Sequence, residues 1–405
     1  MSETQKHTKP NVPNLRFPGF SGEWECCKLS TYLYENKERN RAGEFNKSDV
    51  LSVSGDCGVV NQIQLLGRSF AGKSVADYHI VRTGNIVYTK SPLKEYPYGI
   101  VKYNSGKDGI VSTLYAVYHH RENVNGRFVE HYFTSPQRTN RYFKPIVRIG
   151  AKHDMKIGNN EVLENTVLFP GLEEQNRITE LLDLIDQRIA IQNKVIEDYT
   201  TLEKEIQHQV FSRINAPLVP LSSISERVSE RNSALESDNV LTISAREGLV
   251  SQLEFFNKSV ASENLSNYYL LRKGDFAYNK SYSSDYPWGA IKHLERYDTG
   301  VLSPLYFCFR PNKEIVDTRY LQFFFDTKLW HKHIADIAVE GARNHGLLNM
   351  TVGDFYTMPI LLPTLKEQKA IAEKLSAIRR KKVAEESIYR LFLQQKRYLL
   401  EKLFV

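Results

Sequence analysis

The sequence contains one pattern that occurs twice. Three segments of its first half recur 190 residues later with mostly conservative replacements: Val50–Ser54 as Val240–Ser244, Tyr88–Ser91 as Tyr278–Ser281, and Tyr96–Lys102 as Tyr286–Lys292. A fourth segment, Phe169–Gln175, recurs 193 residues later as Leu362–Gln368. We call Phe169–Gln175 and Leu362–Gln368 the lead-in segments. A duplication on this scale predicts two copies of one module with approximate twofold symmetry, and a twofold partner such as duplex DNA suits such a chain.

The positions of the copies divide the 405 residues into five parts. We expect a flexible leader at 1–19, a first module at 20–171, a long helix at 172–214, a second module at 215–364 and a second long helix at 365–405. Within the modules, β-rich aromatic runs such as Ile110–Tyr118 and Val301–Phe309 alternate with short helix-like segments. Each module is therefore predicted to be mixed α/β.

Both long helices carry a ladder of mainly apolar residues at alternating steps of four and three, which predicts a coiled-coil seam. The apolar seam positions are Ile178, Leu182, Ile185, Ile189 and Ile196 in the first helix and Ile371, Leu375, Ile378, Tyr389 and Leu399 in the second.

The charges of the two helices have opposite signs. Residues 172–213 carry nine acidic and five basic side chains, whereas residues 365–405 carry five acidic and eleven basic ones. This difference favours an antiparallel pair between the two helices over self-pairing of either one. An alternative is that the basic run Arg379–Lys382 is a solvated face or a DNA-binding patch.

The bulk properties of the chain exclude some classes of protein. A net charge of +7 permits nucleic-acid binding without establishing it. No run of 18 apolar residues is present, and the polar start Met1–Pro10 lacks the apolar core of a signal peptide, so we expect a cytoplasmic protein with no membrane span. Cys26, Cys27, Cys57 and Cys308 have no metal-site spacing and are predicted to be reduced core thiols.

One segment matches a nucleotide-binding motif. Gly67–Ser74 has the spacing of a P-loop, which requires a preceding strand and a helix that opens at Lys73. Ile63–Leu66 could form the strand, but the following segment contains β-branched residues, reaches Gly84 quickly and has no Gly-Lys-Ser in its second copy. A P-loop enzyme that binds NTP is therefore an alternative, and a chance match or a DNA-facing loop is preferred.

Other catalytic signals are weak. No His, Cys or Asp cluster has the spacing of a metal site, and no glycine-rich cofactor loop or acid–base pair stands out. The sequence therefore predicts a binding protein that is not an enzyme, with no catalytic residue, no metal and no cofactor of its own.

Candidate DNA-binding residues belong to two groups. The duplicated patch combines lysines and hydroxyls, which suit phosphates, with aromatic side chains: Lys90, Ser91, Tyr98 and Lys102, then Lys280, Ser281, Trp288 and Lys292. A framework role is the alternative for this patch, because both copies keep it. Residues that differ between the copies suit base recognition, since their donors match base edges: Arg68, Lys73, Lys152, His153, Arg246, Lys258, Arg343, Asn344 and His345.

The arrangement resembles a known family. Two α/β modules that alternate with two long helices, the two lead-in segments, the opening Pro13–Phe20 and the run from Tyr278 to Lys292 are similar to the specificity (S) subunit of type I restriction-modification enzymes.

The resemblance implies a fold and a function. Each module would be a target recognition domain that recognises one half of a bipartite, asymmetric site in double-stranded DNA. The paired helices would set the gap between the half-sites and dock two modification subunits, which carry S-adenosylmethionine and methylate adenine. Restriction subunits, which use ATP and Mg, would join through the modification complex. A coiled-coil interaction scaffold with no DNA role is a further alternative.

Overall fold

The structure is a computed structural model that describes residues 11–149, 155–244, 247–256, 264–338 and 346–405. Two compact units are present. The first contains the chain up to Asn193 together with Ser387–Val405, and the second contains Lys194–Glu386. Among the described residues, no helix contains an apolar stretch long enough to cross a bilayer.

The first module consists of twelve short strands and three short helices within its described residues. The strands are β1 (Glu25–Lys28), β2 (Leu33–Glu35), β3 (Leu51–Ser54), β4 (Gly58–Asn61), β5 (His79–Val81), β6 (Ile86–Thr89), β7 (Val101–Tyr103), β8 (Gly109–Val111), β9 (Tyr115–His120), β10 (Arg148–Ile149), β11 (Met155–Lys156) and β12 (Thr166–Phe169). The helices are α1 (Gln62–Leu66), α2 (Gly126–Phe133) and α3 (Pro136–Phe143).

A long helix, α4 (Leu172–Arg213), follows the first module, and the second module follows α4. The described strands of the second module are β13 (Leu218–Pro220), β14 (Ser225–Arg227), β15 (Leu241–Ser244), β16 (Gly248–Ser251), β17 (Tyr269–Arg272), β18 (Phe276–Asn279), β19 (Ala290–His293), β20 (Thr299–Leu302), β21 (Phe307–Pro311) and β22 (Pro359–Leu361). Its described helices are α5 (Gln252–Phe256), α6 (Thr318–Phe325), α7 (His331–Ile337) and α8 (Val352–Tyr356), and the chain ends with α9 (Leu365–Lys402).

The two modules have the same sheet topology. A four-stranded antiparallel sheet runs in the order β2-β9-β6-β7 in the first module and β14-β21-β18-β19 in the second. Equivalent hairpins accompany it, β3 with β4 and β15 with β16. The β-rich run Ile110–Tyr118 contributes to two strands, β8 and β9, because Tyr115 N–H donates to the Ser112 carbonyl (3.0 Å) and closes a turn between them. The run Val301–Phe309 is divided in the same way between β20 and β21, so both runs are β-rich as expected.

The long helices contact each other within each unit. In the first unit, Lys396 Nζ lies 2.5 Å from Asp186 Oδ1. In the second unit, Arg379 and Lys382 pair with Glu203 at 2.7 and 2.5 Å. The residue number rises along α4 as it falls along α9, so the helices are antiparallel. The predicted fold class, mixed α/β modules with two long helices that pack together, is confirmed.

The contacts also explain the opposite charges of the helices. The ladder positions of both helices are buried or half-buried, and several polar ones, such as Glu203 and Lys396, form ion pairs between the helices. In the basic run, Arg380 pairs with Glu373 and Lys381 pairs with Glu385. The positive charges of the run Arg379–Lys382 are therefore paired within the protein, which argues against the alternative of a DNA-binding patch on this run.

The lead-in segments hold each module against its own long helix. Buried Gln175 donates from Nε2 to the Pro170 carbonyl (2.9 Å) and accepts from the backbone N–H of Asn125 (3.0 Å), the residue that caps α2. Gln368 makes the equivalent bonds to Pro363 and to Asp317, which caps α6. One glutamine thus satisfies a helix cap and the chain turn together, which gives a physical reason for its duplication.

The cysteines differ from their predicted environment. All four are free thiols, but Cys26 and Cys57 are exposed and Cys27 is half-buried, so only Cys308 is a core residue. Cys26 lies on β1, which pairs with β12 in a two-stranded sheet, and three of the four residues of β1 are exposed. The prediction of four core thiols was therefore wrong for three of them.

Candidate nucleic-acid interface

The duplicated patch is built around a buried tyrosine in the four-stranded sheet of each module. Tyr88 on β6 donates from its hydroxyl to the Tyr98 carbonyl (2.6 Å), and Tyr278 on β18 donates to the Trp288 carbonyl (3.0 Å). Burial raises the pKa of both phenols, so the hydroxyls stay protonated donors. Each bond closes the loop between the two strands of a hairpin, and it holds Tyr98 and Trp288 against the core of their own module.

A glycine completes this loop in each copy. Gly99 has a φ of +86° and Gly289 a φ of +76°, values that L-residues with side chains rarely adopt. A Cβ at Gly99 would lie 2.0 Å from the Thr89 carbonyl oxygen, and one at Gly289 would lie 2.1 Å from the Asn279 oxygen. The backbone can therefore close the loop only if glycine occupies these positions.

We expect Gly99→Ala and Gly289→Ala each to destabilise the module that contains the substitution. The strained φ alone costs about 1–3 kcal/mol, and the overlap with a carbonyl adds to it. Hydrogen exchange followed by mass spectrometry should show faster exchange in β6 and β7 for Gly99→Ala, and in β18 and β19 for Gly289→Ala. Gly43→Ala, at a left-handed glycine with open space around it, is the control. Equal effects of all three substitutions would contradict the packing argument.

Lys102 and Lys292 are held inside the framework. Lys102 Nζ lies 3.3 Å from Glu130 Oε1, and Lys292 Nζ lies 2.7 Å from Asp326 Oδ1, with all four side chains largely buried. Because their charges are already paired within the module, we assign these two lysines to the framework. Their predicted contact with DNA is not part of our proposal.

The other lysine of each copy lies at the end of the central strand. Lys90 Nζ donates to Asn159 Oδ1 (2.6 Å), and Asn159 Nδ2 donates in turn to Glu35 (2.7 Å). Burial and Arg39 lower the pKa of Lys90, although Glu35 opposes this effect. Lys280 instead places its ammonium group 4.7 Å from the centroid of the Phe307 ring. Ser91 and Ser281 follow these lysines and are exposed.

Each module brings a divergent stretch beside the duplicated patch. In the first module, the bond from Lys90 to Asn159 ties residues 155–160 to the strand end. In the second, Tyr282 N–H donates to the Gly346 carbonyl (3.1 Å) and Leu348 N–H donates to the Lys280 carbonyl (3.0 Å). A shared framework therefore presents chain segments that differ between the copies, which is an arrangement that can recognise two different sequences.

The predicted base-contacting residues are only partly described. Arg68 and Lys73 are exposed, and the Arg68 guanidinium lies 4.6 Å from the centroid of the Phe70 ring. The remaining candidates lie outside the described residues: Lys152, His153, Arg246, Lys258, Arg343, Asn344 and His345.

The P-loop match does not have P-loop geometry. Ile63–Leu66, which we considered as the preceding strand, lies in helix α1, and Gly67 ends that helix with a left-handed φ of +75°. Lys73 lies in irregular chain before β5, whereas a P-loop needs a helix that opens at this lysine and points its N–H groups at phosphate. Gly67–Ser74 is therefore not a phosphate-binding loop of that kind.

Sequence reasoning missed a polar cluster in the first unit. Buried His131 lies 2.8 Å from Asp183 Oδ1 through Nε2, and Arg127 Nη2 lies 2.5 Å from the same oxygen. Asp186 is close enough that the three residues His131, Asp183 and Asp186 could share a metal ion. Both carboxylates already pair with cations, Asp186 with Lys396, so we interpret the cluster as an ion-pair network that fixes α2 to α4. The signal was the i, i+4 pair Arg127 and His131 opposite the i, i+3 pair on α4.

This network predicts a pH dependence of stability. Burial raises the pKa of Asp183, but the hydrogen bonds from His131 and Arg127 and their charges have a larger, opposite effect. The net result is a pKa lowered to about 2. A folded-state pKa below the unfolded value of about 3.9 means that the carboxylate stabilises the fold above pH 4. That contribution disappears as the pH falls towards 2.

We therefore expect Asp183→Asn to lower the melting temperature at pH 7 and to lose less stability than the parent between about pH 5 and pH 2. Thermal unfolding followed by circular dichroism across this range measures both effects. Glu180→Gln, on an exposed face of α4, is the matched control. Parallel pH curves for Asp183→Asn and the parent would contradict the assignment.

Comparison with known proteins gives a fold. The chain is similar to the crystal structure of the type I restriction-modification system S subunit from M. genitalium, with a TM-score of 0.56, 13% identity and coverage of 97% of this chain and 99% of that one. A chain from a structure on complex assembly and conformational transition of the type I R-M system has a TM-score of 0.53, 14% identity and coverage of 97% and 99%.

A third similar structure is the HsdS subunit from Thermoanaerobacter tengcongensis, with a TM-score of 0.43, 15% identity and coverage of 94% and 96%. Neither protein-family models nor curated proteins give a match to this sequence. At these identities the likeness establishes the architecture alone. Over nearly its whole length, the chain has the fold of the type I restriction-modification S subunit.

Proposed function

We propose that the chain is the DNA sequence-specificity subunit of a type I restriction-modification complex that acts in the cytoplasm. Each module would recognise one half of a bipartite, asymmetric duplex site. The observation that carries this proposal is the buried framework common to both modules, which holds divergent segments beside its surface. Two unlike half-sites are what two diverged copies of one recognition module would bind.

The catalytic steps belong to partner subunits in this proposal. The modification subunit would bring S-adenosylmethionine and methylate adenine, and the restriction subunit would bring ATP and Mg. This chain would recognise the DNA sequence and hold the partner subunits together. The geometry at Lys73 disfavours the rival NTP-binding function, because the helix needed for phosphate binding does not open there.

The outer faces of the long helices support docking of the partners. In the first unit, α4 and α9 expose the apolar side chains of Leu184, Ile191, Leu391 and Tyr398. In the second unit, Leu202 and Val383 are exposed on the same two helices. Exposed apolar residues on paired helices suit a helical partner. We therefore propose one modification subunit for each unit, two for each chain.

The test is the composition and DNA binding of the purified complex. Co-expression with a type I modification subunit from the same genome should give a complex with two modification subunits, whose binding to genomic duplex weakens steeply with salt. Ile191→Glu with Leu391→Glu changes side chains that are 64% and 62% exposed, so it should leave folding intact and remove one of the two partners. Native mass spectrometry counts the subunits.

The outcomes separate the proposals. An unchanged stoichiometry in the double variant would contradict the docking face. A complex that assembles and binds no genomic duplex at any salt concentration would contradict the DNA role, and the coiled-coil scaffold would then be the better description.

A further inference from the structure

The first module carries an exposed apolar segment directly after strand β4 of the β3–β4 hairpin. We call residues 62–70, which comprise α1 and the loop after it, the tip. Leu65, Leu66 and Phe70 are 37%, 51% and 58% exposed, respectively, in one short segment. Clustered exposure of large apolar side chains marks a contact surface, because single exposed residues are common but clusters are not.

Hydrogen bonds made by Asn61, Gln62 and Ser52 hold the conformation of the tip. The Asn61 side chain accepts from the N–H groups of Ile63 and Gln64 and caps α1, and Gly67 ends the helix. Gln62 then joins both sides of the loop, since its Oε1 accepts from Phe70 N–H (2.6 Å) and its Nε2 donates to Ser52 Oγ (3.0 Å). The apolar side chains are thus displayed by a hydrogen-bonded support and not left exposed by a loose loop.

The charge around the tip selects an anionic partner. The sequence has no acidic residue between Asp56 and Asp77, and Arg68 and Lys73 lie in this interval. Both cations are exposed, and Arg68 stacks its guanidinium on the Phe70 ring. An apolar tip that carries the exposed cations Arg68 and Lys73 in and beside it is complementary to a nucleic-acid groove, where phosphates surround apolar and polar base edges.

We propose that this tip enters the major groove of one half-site, where Phe70 and Leu66 contact thymine methyl groups and Arg68 donates to a neighbouring base edge. The proposal rests on the function proposed above and assigns specificity to apolar residues of the first module. Contact with base edges is favoured over intercalation, because the Arg68 guanidinium covers one face of the Phe70 ring. Full stacking between two bases would need both faces.

The second module has an apolar segment at the equivalent place, but that segment contains an acidic residue. Its equivalent helix α5 also exposes Leu253, Phe255 and Phe256, but it carries the carboxylate of Glu254, which accepts from the Tyr297 hydroxyl (2.7 Å). A carboxylate at this position is repelled by phosphate and would accept from cytosine instead. The difference confines the proposal to the first module and makes the second half-site an internal control.

The experiment is methylome sequencing of cells that carry the full complex with Phe70→Ala, Phe70→Leu or the parent chain. We expect Phe70→Ala to relax the consensus at A·T positions of one half-site and to leave the other half-site unchanged. Phe70→Leu keeps an apolar contact and should preserve most of the preference, so it also serves as the second variant. Melting temperatures should be similar, because the ring is largely exposed.

A binding measurement tests the thymine methyl directly. Replacement of thymine by deoxyuridine in the affected half-site should weaken the parent complex about fourfold per contacted methyl, the value for one buried methyl group. The Phe70→Ala complex should lose discrimination against uracil at the thymine that Phe70 contacts and should keep it at a thymine that Leu66 contacts. A parent motif whose consensus and uracil discrimination are unchanged by Phe70→Ala would overturn this inference alone, as would two half-sites without any A·T pair. The absence of any motif in the parent would overturn the proposed function itself.

Discussion

Seven residues added to both long helices should lengthen the gap between the two half-sites by about 3 base pairs. A heptad extends a helix by roughly 10 Å at 1.5 Å per residue, and duplex DNA rises about 3.4 Å per base pair. The insertion repeats residues 187–193 after Asn193 in α4 and residues 380–386 after Glu386 in α9. These points are the boundaries between the two units. A full heptad keeps every seam position on its original face, so the helix contacts inside each unit are preserved.

The control adds the heptad to α4 alone. That change either displaces Glu203 by one heptad relative to Arg379 and Lys382 or breaks the contact between Asp186 and Lys396 in the first unit. We therefore expect methylation to be lost, and the gap not to become longer. The measured quantity is the spacing of the methylated motif in cells. Normal methylation with an unchanged gap in the double insertion would contradict the role of the helices in setting that spacing.

The second large effect concerns the buried ion pairs of the second unit. Glu203 on α4 accepts from Arg379 and Lys382 on α9, and Arg379 also pairs with Asp326 (3.1 Å), which holds Lys292. Glu203→Lys would replace the carboxylate that Arg379 and Lys382 share, and it would put a third cation in its place. Loss of one partner from a buried network costs about 3–5 kcal/mol. We expect the second unit to lose stability by at least this amount.

The measurement is hydrogen exchange in α6, α9 and the 194–213 part of α4. Glu205→Lys makes the same chemical change two residues away on an exposed position and should alter stability by less than about 0.5 kcal/mol. Lys382→Glu introduced together with Glu203→Lys restores one pair and should recover part of the loss. Equal destabilisation by the substitutions at 203 and 205 would show that the network does not hold the helices together.

The helical part of this fold could be predicted because its signal is repeated and local. The ladder from Ile178 repeats over many turns, and the buried faces of α4 and α9 coincide with it. The opposite charges of the helices also predicted that they pair with each other, and the ion pair between Asp186 and Lys396 is one such contact. A long periodic pattern averages out single exceptions, and this makes such segments the most predictable ones.

The site was predictable only in outline. The duplication identified the patch, but it could not show that Lys102 and Lys292 are paired inside the framework, because their partners Glu130 and Asp326 come later in the chain. The network of His131, Asp183 and Lys396 joins three distant segments, and the local spacings on α2 and α4 do not show that these segments meet. The tip was missed because exposed Leu66 and Phe70 look like core residues until the fold shows that they face solvent.

The most direct test of the central claim is single-molecule methylome sequencing of cells with and without this gene, with the modification partner present in both. We predict a bipartite methyladenine motif that is present with the gene, vanishes on its deletion and returns on complementation. An unchanged methylome, in cells where the protein is expressed and the partner is active, would contradict the role of this chain in DNA sequence recognition.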